Sequence, residues 1–411
     1  MGSVFFGSLM QKQTSYNYTI VGAGASGLWL ARTLLQHGLL QSKTLCIVES
    51  DAQKNNDRTW CYWSAEPLSP EKMISKEWQS ILQLNLSNKP IDLSPYRYYH
   101  VRSADFYSHL KNELRKSPSI SWLPEEVLEV TQLQTHVEVV TNTQTWVTDR
   151  IFLSALPSGR GTSADYQLSQ QRFLRTRLKK KTDLFLWQSF VGWRVETTER
   201  KFDARSMSMM DFDVAQGGYT QFMYELPFSD NEALIELTRF GKEKLSKAEA
   251  EESLRLYMEK KGGSYKITEL EIGSIPMTPQ FDIKRKQLST DERIIYIGTP
   301  GGAIKPTTGF GFKRMQAYAN ALAISLKEKT SLPSMYRSYR FRLYDILLLR
   351  ILQNQPNRGK EIFEQLFRTQ SIQRILKFLD EETTIFEEIA IFSRLPIRLF
   401  LKSLTDHLLG R

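Results

Sequence analysis

The residues with the clearest chemical use are glycines. Gly22-Ala23-Gly24-Ala25-Ser26-Gly27 follows the apolar run Tyr18-Thr19-Ile20-Val21 and precedes a helix-forming stretch from Leu28 to Gln36. A G-x-G-x-x-G turn between a strand and a helix can cradle a pyrophosphate. Gly22 permits the tight turn, Gly24 has no Cβ to hold the backbone off the phosphates, and Gly27 lets the helix lie close to the sheet. The helix start adds free N–H groups and a partial positive charge. A second strand, Thr44 to Val48, ends in Glu49, an acid positioned to accept hydrogen bonds from an adenosine ribose. Three glycines alone would also suit a plain turn. Strand, turn, helix, second strand and terminal acid in register favour a dinucleotide, and a Glu with no nearby Arg favours FAD or NAD over NADP.

The same logic recurs late in the chain. Ile294-Ile295-Tyr296-Ile297 reads as a strand, and Gly298-Thr299-Pro300-Gly301-Gly302 as a glycine-rich turn. Lys305-Pro306-Thr307-Thr308-Gly309 then leads into a helix over 313–327. Here Gly298, Gly301, Gly302, Thr308 and Gly309 are the candidate contacts to a ribityl–pyrophosphate and a flavin ring. Two such loops far apart in sequence mark the FAD fold, so FAD is the expected cofactor. Between them, Asn56-Asp57-Arg58-Thr59-Trp60-Cys61-Tyr62-Trp63 crowds aromatic residues behind polar ones. Arg58 and Thr59 are further cofactor candidates. Trp60 and Trp63 either wall an aromatic pocket or pin a loop from the core.

The elements that must hold these residues give an α/β chain with an FAD-binding Rossmann-like fold of the glutathione-reductase/hydroxylase type. Its first part is expected at 16–157, with a helix over 103–116 and strands within 127–140 and 145–153. Residues 158–182 read as a linker or exposed helix carrying the basic cluster Arg172 to Lys181. An antiparallel β substrate domain is expected at 183–292, with strands at 186–196, 206–214, 220–226 and 233–240 and a helix over 245–260. The second part of the FAD domain follows at 293–330. A helical C-terminal region, 333–408, closes the chain.

Composition narrows the partners. The 411 residues, 41% apolar and 24% charged, are ordinary for a globular protein. Cys46 and Cys61 cannot build a disulfide framework, and the five histidines show no metal-ligand spacing, so a reducing, cytoplasmic setting without a metal is expected. Met1 to Leu9 lacks the features of a signal peptide, and no run is long enough to span a bilayer. The net charge of +10 asks for an acidic partner or a solvated basic face. No nucleic-acid-binding signature accompanies it. Anionic lipid is the alternative, and Arg394, Arg398 and Lys402 among Phe392, Leu395, Ile397, Leu399, Phe400 and Leu401 suit either a membrane interface or a helix packed on its own protein.

From about Tyr18 to about Leu404 the chain resembles the lycopene cyclases, FAD-dependent enzymes that close the end rings of carotenoids. The resemblance rests on the first glycine loop with Glu49, on Asn56-Asp57-Arg58-Thr59-Trp60-Cys61, and on Gly192-Trp193 with Met210-Asp211-Phe212. It continues through Phe222-Met223-Tyr224-Glu225-Leu226-Pro227-Phe228, Leu234-Ile235-Glu236-Leu237-Thr238 and Lys305-Pro306-Thr307-Thr308-Gly309-Phe310. The resemblance implies that Glu236 is the catalytic acid, with Asp211 in support. Plant members carry two consecutive acids there, and here only Glu236, followed by Leu237, matches. From alternation alone, Glu236 and Thr238 lie opposite Ile235 and Leu237 and could equally face water. Thr299 stands where many flavin hydroxylases place an Asp, which argues against that neighbouring family.

The reaction so implied is redox-neutral closure of the ψ end groups of lycopene, or a related acyclic carotenoid, to β rings. Reduced FAD would be the active form, with NAD(P)H as indirect reductant and a membrane surface as the substrate's source. The rival readings are an FAD-dependent monooxygenase or prenyl-chain reductase acting on a hydrophobic substrate, and a non-catalytic carotenoid carrier.

Overall fold

The computed structural model describes residues 15–51, 56, 58–83, 87–159, 184–281, 293–335 and 337–410. Met1 to Leu9, the cluster Arg172 to Lys181 and Asp57 of the tryptophan motif lie outside them, as does nearly all of the expected linker. The chain builds β1 (Ser15–Val21), α1 (Ala25–Gln36) and β2 (Leu45–Val48). Then come β3 (Thr59–Ser64), β4 (Ile74–Trp78), β5 (Ser80–Gln83), β6 (Ser87–Asp92) and β7 (Arg97–Arg102). Helix α2 (Ser103–Leu114) precedes β8 (Ile120–Leu123), β9 (Val127–Gln132), β10 (Val137–Thr141) and β11 (Thr145–Leu153). The second half runs β12 (Leu186–Thr197), β13 (Ser206–Asp211), β14 (Thr220–Pro227), β15 (Glu232–Gly241), α3 (Lys247–Lys261), β16 (Tyr265–Met277) and β17 (Ile294–Tyr296). Helices α4 (Phe312–Glu328), α5 (Tyr339–Asn354), α6 (Gly359–Thr369), α7 (Ile372–Leu379), α8 (Ile385–Phe392) and α9 (Ile397–Leu408) follow.

Among the described residues the strands form three sheets. In the first, β8, β2, β1, β11 and β17 are parallel, while β10 and β9 fold back antiparallel from β11. Tyr18 to Val21 are buried throughout, as a strand covered on both faces requires. Helices α1 and α4 start at the two glycine loops and pack together through Leu28, Trp29, Phe312 and Met315.

The second sheet has the order β16-β12-β15-β14-β13-β5-β6. It differs from expectation in its membership. Ser80 pairs with Ser206, so residues 80–92 add two strands from within the span expected to belong wholly to the FAD domain. Strand β16, thirteen residues long, was not foreseen either. Helix α3, held by a Ser246–Glu249 capping box, covers one face of this sheet through Leu254, Tyr257 and Met258.

The small sheet β3-β7-β4 lies between the other two. Its Tyr62, Tyr99 and Val101 face the core of α1, α2 and α4, and its Cys61, Trp63 and Tyr98 face the second sheet. Trp60 stacks on Phe312 at 5.0 Å and meets Phe106 edge-on at 5.2 Å, so one tryptophan of the motif is a core pin. Leu349, Leu352 and Phe363 of α5 and α6 join Phe222, Phe240 and Met277 of the second sheet in one cluster. The start of the C-terminal region is therefore part of the core.

Candidate active site

Seven of the expected cofactor residues, Gly22, Gly24, Glu49, Arg58, Thr59, Gly298 and Gly309, line one cleft of about 730 Å³. The close approach of the two loops explains the glycines. A Cβ on Gly27 would stand 2.0 Å from the Gly22 carbonyl oxygen, so α1 reaches the sheet only without one. Gly298 has φ +63°, and a Cβ there would stand 3.1 Å from the Cβ of Ser26. Gly27, Gly301, Gly302 and Thr308 do not line the cleft; they shape the loops behind it. The Thr308 hydroxyl accepts the Phe310 N–H at 3.5 Å, and the Gly302 carbonyl accepts from Arg337 at 3.4 Å. Both α1 and α4 start without a side-chain cap, which leaves backbone donors for an anion. Glu49, in the cleft wall just after β2, accepts the Ala23 N–H at its Oε2 at 2.8 Å.

A second constellation forms where the small sheet faces the large one. Glu271 of β16, Gly192 of β12, Glu236 of β15 and Tyr224 of β14 stand in one row across the sheet. They share the face opposite Ile235 and Leu237, which pack under α3. Gly192 makes room, since a Cβ there would stand 3.3 Å from the Cβ of Glu236 and 3.0 Å from Leu234. Cys61 and Tyr98, hydrogen-bonded to each other, approach from the small sheet. Glu236 thus faces the interior and not water. It is half-buried, as are its neighbours Cys61 and Tyr224, which join Met210, Phe228 and Phe310 in one apolar cluster, whereas Ile235 and Leu237 are fully enclosed.

Electrostatics follow from that enclosure. Burial holds the Glu236 carboxyl well above the ordinary range, the Glu271 charge pushes the same way, and the hydrogen bond from Thr238 (3.2 Å) opposes both. Burial also raises the Tyr224 and Tyr98 phenols and the Cys61 thiol. His100, on the same face as Tyr98, is held neutral at about 3 by burial and then by Arg194 and Arg102. Glu236 is therefore an acid that holds its proton more tightly than an ordinary glutamate, with the Glu271 carboxylate and the neutral Cys61, Tyr98 and Tyr224 as neighbours.

Asp211 requires a correction. A supporting role is expected of it from the sequence, but it lies on the face opposite Glu236, where its carboxylate accepts from Tyr257 of α3 at 3.1 Å. Tyr257 also donates to Glu225 at 3.2 Å, and Glu225 pairs with Lys261 at 2.6 Å. The cause is a bulge between Ser208 and Asp211, with Met210 at φ +57°, which shifts the alternation by one residue. Asp211 is a structural ligand of α3.

A family model described as lycopene cyclase protein matches residues 18–405, nearly the whole chain. The chain belongs to the lycopene cyclase family. No curated protein matches it. Among solved structures it is similar to a flavoprotein/dehydrogenase from Cytophaga hutchinsonii, at 10% identity over 97% of this chain and 100% of that one (TM-score 0.58). A geranylgeranyl bacteriochlorophyll reductase-like protein from Thermoplasma acidophilum shares 12% identity over 95% and 99% (TM-score 0.55). A variant of HpxO from Klebsiella pneumoniae, complexed with FAD, shares 13% over 89% and 98% (TM-score 0.53). The fold is thus that of the FAD-binding flavoproteins.

Within this family member, one link between cleft and acid was not foreseen. Thr59 lines the cleft, yet both its polar groups are taken by Glu271: its N–H donates to Oε1 at 2.7 Å and its hydroxyl to Oε2 at 2.7 Å. The alternation Glu269-Leu270-Glu271-Ile272 was the available signal for β16.

Proposed function

We propose that the chain is a flavin-dependent lycopene cyclase that closes the ψ end groups of lycopene to β rings, giving β-carotene by way of γ-carotene, with no net redox change. The observation that carries this is the inward-facing Glu236, whose carboxyl burial holds well above the ordinary range, in one row with the Glu271 that grips Thr59 of the cleft. Protonation of a terminal alkene needs an acid of that kind, and an apolar wall supplies it. Glu236 delivers the proton to the polyene tip, the neighbouring double bond attacks the tertiary cation, and a ring proton leaves. Tyr98, Tyr224, Phe228 and Phe310 present neutral surface to that cation, and their bulk keeps out the water that would trap it.

The cleft residues fit FAD. The two glycine loops meet with no room for side chains, the two uncapped helix starts offer backbone donors, and Glu49 stands at the ribose end. When bound and reduced, with NAD(P)H as indirect reductant, FAD supplies a negative charge near the cation without being consumed.

A substrate with negligible solubility has to come from a bilayer. Phe386 (85% exposed), Ile389, Ile397, Leu401 and Leu408 (75%) stand out from α8 and α9, and Arg394, Arg398 and Lys402 are exposed beside them. This supports peripheral docking of a cytoplasmic enzyme on anionic lipid.

Expression in a bacterial host that accumulates lycopene tests the activity, with pigments resolved by chromatography. Accumulation of β-carotene is expected. A hydroxylated or saturated product formed with stoichiometric NAD(P)H consumption would overturn the proposal, as would bound but unconverted pigment.

A further inference from the structure

We infer that Glu271 is the second working carboxylate of this site, the base that takes the ring proton released by cyclisation and hands it back to Glu236. The inference deepens the reading above and rests on it.

An acid-started ring closure needs a base as well as an acid. Glu236 ends the first step as a carboxylate, but the proton must leave from a different carbon, on the newly formed ring. Glu271 is built for that position. It stands in the same row as Glu236, separated only by Gly192, which has no side chain to come between them. Its two oxygens each accept a 2.7 Å hydrogen bond from Thr59, contacts that suit the ionised form. Thr59 also borders the dinucleotide cleft, so Glu271 joins the acid to the wall of the cofactor site. On the same face Arg102 pairs with Glu269 at 2.7 Å and Arg194 with Glu232 at 2.5 Å. Cys61 lies close enough to feel both carboxylates, and Tyr98 and Tyr224 lie close to Glu236.

The cycle balances. The Glu236 O–H bond breaks and a C–H bond forms at the terminal alkene. The neighbouring double bond supplies the pair for the new C–C bond. The ring C–H bond then breaks, its electron pair becomes the ring double bond, and its proton goes to the Glu271 carboxylate. Transfer from Glu271 to Glu236 restores the starting state, with nothing oxidised or reduced. Two like charges in one dry site are costly, which favours a single proton on the pair at the start and end of the cycle.

Glu271→Gln keeps the size of the side chain and an acceptor for Thr59. Its turnover is expected to fall by about 10²-fold or more, the usual range for a lost proton-transfer group, with KM unchanged. Two further readouts separate this from damage to the fold. In the absence of substrate, the infrared band of the protonated Glu236 carboxyl should titrate at lower pH in Glu271→Gln, because a neighbouring negative charge has been removed. Glu271→Ala should regain turnover on addition of formate.

Turnover of Glu271→Gln within about threefold of the unaltered enzyme would overturn the inference, as would an unmoved infrared titration. Glu236→Gln measured in parallel keeps the two readings apart. If it retains ring closure, the parent reading fails. If it is inactive while Glu271→Gln is unimpaired, only the role of Glu271 fails.

Discussion

At the scale of single residues, the chemistry depends on where a strand points its side chains. Alternation around Glu236 was legible, since Ile235 and Leu237 do pack together under α3. What covers the other face was not, because Cys61 and Tyr98 arrive from a sheet well over a hundred residues earlier in sequence. Asp211 shows the converse, for a single extra residue in β13 moved it to the far side.

Glu236 also makes a stability prediction. Its pKa is raised in the folded state, so its favourable contribution is complete below the ordinary glutamate value near 4.5 and is lost as pH rises toward the folded-state value. Gln cannot ionise. The melting temperature of Glu236→Gln should therefore exceed that of the unaltered protein by a margin that grows as pH is raised above about 4.5. Thermal melts across pH check this, and a constant margin would show that the carboxyl is not enclosed.

At the scale of elements, the second glycine loop is held from behind by a buried polar network. Lys305 reaches Asp345 of α5 at 3.3 Å and Glu381 at 3.0 Å, and Arg337 pairs with the same Glu381 at 2.6 Å. The Thr307 hydroxyl donates to Asp345 at 2.6 Å. The sequence displayed Lys305-Pro306-Thr307-Thr308-Gly309 as a loop that meets the flavin, but its Lys and Thr turn away to anchor it. Asp345→Ala strands Thr307 and half of the Lys305 pairing, at a cost of about 3 kcal/mol. Lower melting temperature and loss of FAD on gel filtration are the expected results. Unchanged FAD content would mean that the loop needs no such anchor.

Strand β16 escaped the sequence reading because the bulge between Arg194 and Val195 breaks its facing pattern and its outer side chains, Leu270 and Ile272, are exposed. An exposed apolar edge with interspersed acids reads as neither a core strand nor a polar one.

At the scale of the whole molecule, the C-terminal stretch packs on its own protein along one face and leaves apolar side chains exposed on the other, where we propose the membrane contact. Phe392, Leu395 and Phe400 pack with α5, while Phe386, Ile389 and Leu401 face outward. Truncation would remove core residues, so point substitution is the sound test of docking. The combined Phe386→Ser, Ile389→Ser and Leu401→Ser variant should bind anionic liposomes several-fold more weakly in flotation and melt within a few degrees of the unaltered protein. Equal flotation would remove these helices from any membrane contact.

The layered plan gives the parts a common logic. Two glycine loops meet at one cleft beside the first sheet, the small sheet lies between the two seven-stranded sheets, and the Glu236 carboxyl, its pKa raised by burial, faces Cys61 and Tyr98 of that small sheet from the second. The central claim is that this carboxyl starts ring closure. Its most direct test is the rate of β-ring formation by Glu236→Gln, loaded with FAD to the same extent as the unaltered enzyme and compared with Asp211→Asn as a control. A fall of about 10³-fold or more in Glu236→Gln, with Asp211→Asn within about tenfold of the unaltered rate, is expected. Ring closure by Glu236→Gln at a near-normal rate would contradict the account.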